Sequence, residues 1–339
     1  MKSILILTYK GDDCANMVVN RLKQMGIEHT RFNTEEFQKI IRCTLRLSSD
    51  GKFCGSYDFP ERNLDFSDIG VVWNRRIHDP EPSFEFDEPE LKEWMLDESK
   101  WGFLASISLI KAPIVNPLEI NERLKFNKWI QMSRATELGL DVPESCLTNQ
   151  LEDIRNFWEK VGHEMIFKKI RKGFFLLKDG RRLLFHASKV PPDRFNNVDL
   201  QRMRFCPMFL QKHISKKYDV RSVVIGNKVF SFAIHSQDIP EGKVDYRKAG
   251  ILGKMDEMHH EEIKLGPDID GKLIAFTKSF GLTFSVIDLI ITPDDRIVFF
   301  EDNPNGQWAW LEMKTGVPIS QVFAECLIEL SKKEGGDIK

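Results

Sequence analysis

The sequence predicts a mixed α/β and α+β chain of several lobes, and three observations carry that prediction. Ser3–Leu7 is a short apolar run, the segment after it reads as a helix ending near Gly26, and Ile27–Phe32 starts another strand. This β-α-β opening calls for a parallel sheet. Further along, strand-like runs meet in pairs at Asp50-Gly51, Asp179-Gly180 and Gly226-Asn227, which are hairpin turns. The length of 339 residues suffices for two or three compact lobes.

Composition narrows the function classes. A formal net charge of -2 supplies no basic field for general nucleic-acid binding. Six cysteines, Cys14, Cys43, Cys54, Cys146, Cys206 and Cys326, lack CxxC spacing and neighbouring histidines, so they read as reduced thiols rather than zinc ligands or disulfides. No apolar run approaches the ~20 residues that span a bilayer, and Met1-Lys2-Ser3 with Ile4–Leu7 lacks a secretory pattern. A cytoplasmic protein without membrane or nucleic-acid partners is the expectation.

The elements follow in order. Thr8–Asp13 carries one glycine and two acids, which excludes the GxGxxG turn of a dinucleotide site. Thr44–Leu47 and Phe53–Tyr57 form a hairpin, and Ile69–Trp73 is a buried strand running into Asn74-Arg75-Arg76, two cations that either meet a substrate anion or face solvent. Leu91, Trp94, Met95, Ala105 and Leu109 share one face of a long helix, and Ala112-Pro113 ends it, giving a domain boundary near 115. Asn116-Pro117-Leu118-Glu119 starts a helix that carries Lys125 and Lys128 toward Leu138. Val142–Leu147 is a strand, Thr148 caps a helix closed by Gly162, and Met165–Ile170 is a strand holding Lys168 and Lys169. Adjacent strand residues face opposite ways, so one lysine of the pair points into the fold, where an ammonium needs an anion. The hairpin 173–187 and the polar segment Pro191–Arg204 lead to Met208–Ile214, then to the hairpin Val220–Ile225 with Val229–Ile234, whose start carries Asp219 and Arg221 and whose exit loop holds Arg247. Pro267 opens a helix ended by Gly281, and Pro318 opens the last, which buries Ile319, Val322, Phe323, Cys326, Leu327 and Leu330. The domains are therefore 1–115, 116–205 and 206–331, with a tail from 332. Adjacent His259-His260, among glutamates, read as a solvated loop.

The chemistry concentrates at Val286–Asn303. Asp288 interrupts an apolar strand run, Pro293-Asp294-Asp295 makes the turn, and the second strand delivers Glu301 and Asn303. Residues two apart share a strand face, and a hairpin register brings Asp288 opposite them. Two carboxylates and an amide oxygen are what Mg²⁺ takes, its remaining positions filled by water and phosphate oxygens. Lys128, Lys168, Arg221 and Arg247 supply cations for phosphates. No Walker A or kinase glycine loop is present.

Together these residues resemble the ATP-grasp ligases. Trp73-Asn74-Arg75-Arg76, Gln211-Lys212-His213-Ile214, Asp219-Val220-Arg221, Asp245-Tyr246-Arg247 and Glu301-Asp302-Asn303-Pro304-Asn305-Gly306-Gln307-Trp308 are similar to the microviridin-type subfamily, the graspetide synthetases. The resemblance implies an ATP-grasp fold behind an N-terminal α/β pre-ATP-grasp domain, with ATP and Mg²⁺ as cofactors. It implies that Gln211–Ile214 meets adenine, with Lys212 contributing its backbone, that Asp219 meets ribose, and that Lys128, Lys168 and Arg247 hold phosphates. Asp288, Glu301 and Asn303 would hold Mg²⁺, with Arg221 and Arg247 at the transferred phosphoryl group. The partner implied is a ribosomal precursor peptide, leader plus core, whose Glu or Asp side chains become acyl phosphates and are joined to Thr/Ser hydroxyls or Lys amines; a homodimer is admitted. Arg75 and Arg76 are substrate-binding candidates, and Asp193 is a candidate partner for a leader arginine. The alternatives are a stand-alone amino-acid or peptide-tail ligase similar to the ribosomal-protein glutamate ligases, and a nucleotide-binding regulator that does not ligate.

Overall fold

A computed structural model describes residues 2–171, 173–184, 187–190 and 205–332. Contacts divide the chain into two units. The first comprises Met1–Ile120, Gly281–Phe284 and the chain from Gln307, and the second comprises Asn121–Phe280 with Ser285–Gly306.

The first unit opens as the sequence predicts. β1 (Ser3–Thr8), α1 (Asp13–Gln24) and β2 (His29–Asn33) make the β-α-β start. Asp12 caps α1 by accepting from the N–H groups of Cys14 and Ala15 at 3.0 and 3.3 Å. β3 (Arg42–Leu47), β4 (Phe53–Phe59) and β5 (Arg62–Asp65) form a separate antiparallel sheet, in which β5 had no counterpart in the sequence reading. β6 (Ile69–Asn74) and, after the long helix α2 (Pro89–Ser108), β7 (Ile114–Val115) complete a parallel sheet in the order β2-β1-β6-β7. Both β1 and β6 are buried along their whole length, as a sheet covered on two faces requires. On α2 the expectation is reversed. Leu91, Trp94, Met95 and Leu109 are exposed, and the helix buries Phe103, Ser106 and Ile107 instead, with Ser106 at 2.6 Å from the Tyr57 hydroxyl.

The helix predicted from Asn116 to Leu138 is two. α3 (Leu118–Lys125) stops before Asn127, whose side chain caps α4 (Lys128–Glu137) by accepting from the N–H of Ile130. The amide oxygen of Asn116 accepts from the N–H groups of Thr283 and Phe284.

The second unit holds two sheets with a hairpin beside them. β8 (Ser145–Thr148), α5 (Leu151–Lys160) and β9 (Met165–Lys168) are followed by the hairpin β10 (Phe174–Leu176) and β11 (Arg182–Leu184), then β12 (Ser188–Lys189) and β13 (Met208–Lys212). Their sheet runs β12-β9-β13-β8 and is antiparallel throughout. The other sheet runs β16-β15-β14-β17-β18. It comprises β14 (Tyr218–Ile225), β15 (Lys228–Ile234), β16 (His260–Ile263), β17 (Phe284–Ile291) and β18 (Ile297–Asn303), with the short helix α6 (Tyr246–Ile251) between β15 and β16 and α7 (Pro267–Ser279) after β16. Leu273 and Phe276 of α7 pack with Val220, Val224, Leu289 and Phe299 of the strands, the core this sheet needs on one face.

After Gly306 the chain rejoins the first unit, although the sequence reading ran the last lobe to 331. α8 (Ala309–Thr315) and α9 (Ile319–Ser331) follow. Phe323 of α9 lies 4.5 Å from the Trp73 ring and 5.1 Å from the Phe284 ring. α9 buries Ile319, Phe323 and Leu327, while Val322, Cys326 and Leu330 are half-buried. Arg75 belongs to this interior. It is fully buried, its guanidinium 3.3 Å from Asp12 and donating to Gln307 at 2.8 Å, so no peptide anion meets it there; the neighbouring Arg76 is half-buried. Removing one partner of a buried ion pair strands the other charge. Arg75→Met is expected to cost ~3–5 kcal/mol in denaturant unfolding, and Arg76→Met markedly less; equal losses would show that Asp12 does not depend on Arg75.

Candidate active site

The β17–β18 register sets Asp288 opposite Glu301 and Val286 opposite Asn303. A β-bulge after Asp288 leaves Phe300 as the extra residue, and such irregularities re-aim side chains next to functional sites. The amide of Asn303 donates to Asp288 at 3.1 Å. Gly306, just beyond, is forced: a Cβ there would stand 2.4 Å from Cβ of Val286.

Cations crowd these acids. Lys128 pairs with Glu301, Arg221 with Asp288 at 2.7 Å, and Arg247 with both carboxylates, at 2.8 Å from Glu301. Burial alone would raise the Glu301 carboxyl, yet Lys128, Arg247 and Lys168 hold it well below the ordinary range. Lys168 lies 4.3 Å from the Phe300 ring centre, and burial, then Lys128, push its ammonium down to about 7 against the pull of Glu301. Lys169 is exposed.

These groups line a cavity of about 420 Å³ that includes Lys128, Lys168, Asp219, Arg247, Asp288, Glu301 and Asn303. His213 and Ile214 line it too. Gln211 is buried with its amide on Ser145, and Gln211 and Lys212 are not in the wall. The N–H groups of Lys212 and His213 already donate to the carbonyls of Glu144 and Glu164, so a base contact from this stretch falls to other backbone groups. Asp219 accepts from Lys216 at 2.6 Å and from Ser236, and burial pushes its carboxyl up. Arg221 is also outside the wall: it sits behind Asp288, donating to it and to the Tyr246 hydroxyl at 3.2 Å. Asp193 lies outside the described residues.

For two residues the sequence reading assigned no positioning role. Gln131 of α4 donates to the Asp302 carbonyl at 3.0 Å and accepts from the Asp302 N–H at 2.9 Å, which ties the helix bearing Lys128 to the strand bearing Glu301. Asp245 caps α6 through the N–H of Arg247 at 3.1 Å and so fixes where that arginine starts. Asp245 stood in the sequence reading only within the Asp245-Tyr246-Arg247 string, and for Gln131 there was no signal.

Lys168 of one sheet and Lys128 of α4 converge in one cavity with the acid–amide set of the other sheet, and the architecture is an ATP-grasp fold with a pre-ATP-grasp domain ahead of it. Residues 3–122 match the model of the MvdD pre-ATP grasp domain. The RiPP-associated ATP-grasp ligase of Chryseobacterium gregarium, solved with ADP and a leader and core peptide, is 26% identical, covers 99% of each chain and superposes with a TM-score of 0.86. The macrocyclase MdnB from Microcystis aeruginosa MRC is 26% identical over 97% of this chain and 99% of its own, with a TM-score of 0.75. The ligase PsnB, solved with a phosphomimetic variant of its minimal precursor, Mg and ADP, shares the fold at 18% identity, 98% and 99% coverage and a TM-score of 0.69. No curated protein matches the chain.

The lowered Lys168 ammonium makes a pH prediction. A phosphate beside Lys168 restores its proton, so ATP binding above pH 7 is expected to take up a proton and to weaken as pH rises through the free-state value of about 7. Calorimetry in buffers of different ionisation enthalpy measures the uptake. Lys168→Met should abolish it and Lys169→Met should not; the reverse pattern assigns the phosphate lysine to 169.

Proposed function

We propose that this chain is an ATP-dependent macrocyclase that joins carboxylate side chains of a ribosomal precursor peptide to hydroxyl or amine side chains of the same peptide. The observation that carries the reading is the convergence of Lys128, Lys168 and Arg247 with Asp288, Glu301 and Asn303 in one cavity. Likeness over nearly the full chain to a RiPP-associated ligase solved with ADP and a leader and core peptide, and to the macrocyclase MdnB, supports it.

The residues fit Mg²⁺. One guanidinium, that of Arg247, already bonds both carboxylates, so their oxygens converge on a single cationic position, and carboxylates with an amide oxygen are the hard donors this ion takes. Bound there with ATP, Mg²⁺ supplies charge neutralisation at the phosphates. Lys128 and Lys168 hold the phosphate tail in place, Asp219 takes the ribose, and Arg221 acts as a positioning residue that fixes Asp288. Arg247 leaves the carboxylates for the transferred phosphoryl group. A peptide carboxylate oxygen attacks the γ-phosphorus and ADP departs. A hydroxyl or amine then attacks the acyl phosphate, an ester or amide forms, and inorganic phosphate leaves with the nucleophile's proton released. No protein nucleophile is required.

Leader binding at the 173–187 hairpin with Asp193, and a substrate contact by Arg76, remain part of this proposal. The test is to incubate the purified chain with Mg²⁺, ATP, the free amino acids and a Thr/Ser- and Glu/Asp-rich peptide encoded beside its gene. One water should be lost from the peptide per ADP formed. A peptide that instead gains an amino-acid residue supports the tail-ligase reading, and ATP turnover with an unmodified peptide overturns ring formation.

A further inference from the structure

We infer that His235, His259 and Glu261 form a binding site for a zinc-class divalent cation at the base of the loop that carries Arg247. Strand geometry assembles it. His259 immediately precedes β16 and Glu261 is its second residue, while His260 between them opens the strand and is buried. The antiparallel register pairs Ala233 with Glu261 and Ile234 with His260, which continues to His235 opposite His259, where the His235 N–H donates to the His259 carbonyl at 3.1 Å. Ala233 opposite Glu261 leaves room for the carboxylate to lean toward His235.

The three donor atoms lie within 4.8 Å of one another. Nε2 of His235 is 2.9 Å from one Glu261 oxygen, and Nε2 of His259 is 3.9 Å from the other. Tetrahedral bonds of ~2.0–2.1 Å place ligand atoms about 3.3 Å apart, a contraction that side-chain rotation at exposed positions supplies. Two imidazoles and one carboxylate select Zn²⁺, Co²⁺ or Ni²⁺ over Mg²⁺, which prefers an all-oxygen shell, so the nucleotide's ion is no competitor. Water fills the fourth position.

His235 and His259 are the two ends of the excursion 236–258, which delivers Ser236 to Asp219, and Asp245, Tyr246 and Arg247 to the nucleotide cavity. An ion joining those ends closes the loop at its base. Zinc therefore acts here as a clamp on the segment that brings Arg247 in.

Titration of the tag-free chain with Co²⁺ tests this through the visible absorption of a tetrahedral complex. One equivalent is expected to bind, and Zn²⁺ should displace it. Substituting residues that only hydrogen-bond to metal ligands weakens metal sites by ~10–100-fold, so loss of a ligand itself in His235→Ala or His259→Ala should cost at least that. His163→Ala, which touches a surface His–Glu pair elsewhere, should change nothing. Hydrogen exchange across 236–258 should slow with Zn²⁺ in the wild type and not in either ligand variant. Absence of saturable binding, binding that survives His235→Ala with His259→Ala, or binding lost on Asp288→Asn instead would overturn the assignment.

Discussion

Asp288→Asn and Glu301→Gln are expected to leave the chain folded and to lower turnover by on the order of 10²–10³-fold or more, the range found when a single preorganised electrostatic contact is removed at the transition state. Each change keeps side-chain size and removes one negative charge from the donor set that faces the phosphates. Asn at 288 keeps an oxygen for the Arg221 guanidinium at its present 2.7 Å, so the buried network loses charge without losing that bond. For Glu301, the three cations that hold its carboxyl well below the ordinary range, Lys128, Arg247 and Lys168, are left in excess. Nucleotide alone should still bind, because phosphates satisfy those cations. Circular dichroism and ADP release with Mg²⁺ and peptide read the two quantities separately. Wild-type-like ADP release in either folded variant would remove that residue from the metal set.

Much of this was legible in the sequence because it is local. The β-α-β opening, the hairpin turns and the pairing of Glu301 with Asn303 follow from periods of 2 and 3.6 along short stretches. Asp288 came only partly with them: the turn register alone would set it opposite Phe300, and the β-bulge after Asp288, which no local period shows, brings it opposite Glu301. What escaped depends on residues far apart. Arg75 looked like a strand-exit cation and is buried because Asp12, sixty residues earlier, waits for it. The apolar side of α2 that periodicity offered as core is exposed, and the other side is taken by Tyr57 and its neighbours. Lys128 heads a new helix because Asn127 outcompetes helix continuation as a cap. His259 is exposed as the sequence reading expected, and what local pattern could not show is that β15 brings His235 beside it.

Arg247→Ala should move two affinities in opposite directions. In this structure the Arg247 guanidinium occupies the position between Asp288 and Glu301 toward which their oxygens converge, assisted by Lys128 on Glu301 and Arg221 on Asp288. A divalent cation binding there without nucleotide must displace a charge-assisted contact to each carboxylate. Mg²⁺ alone is therefore expected to bind weakly to the wild type and more tightly to Arg247→Ala. ATP supplies the counter-anion that draws Arg247 away, so with nucleotide the same variant should bind Mg·ATP less well. Its turnover should fall by roughly 10³-fold or more if the arginine meets the transferred phosphoryl group, the scale of arginine-finger loss. Arg247→Lys keeps the charge but not the fork that spans two carboxylates, and should restore phosphate affinity more than it restores the barrier to free Mg²⁺. Calorimetric titration of Mg²⁺ with and without a non-hydrolysable nucleotide measures all of these. If Arg247→Ala weakens Mg²⁺ binding in both conditions, the arginine supports the metal site instead of competing with the ion for it.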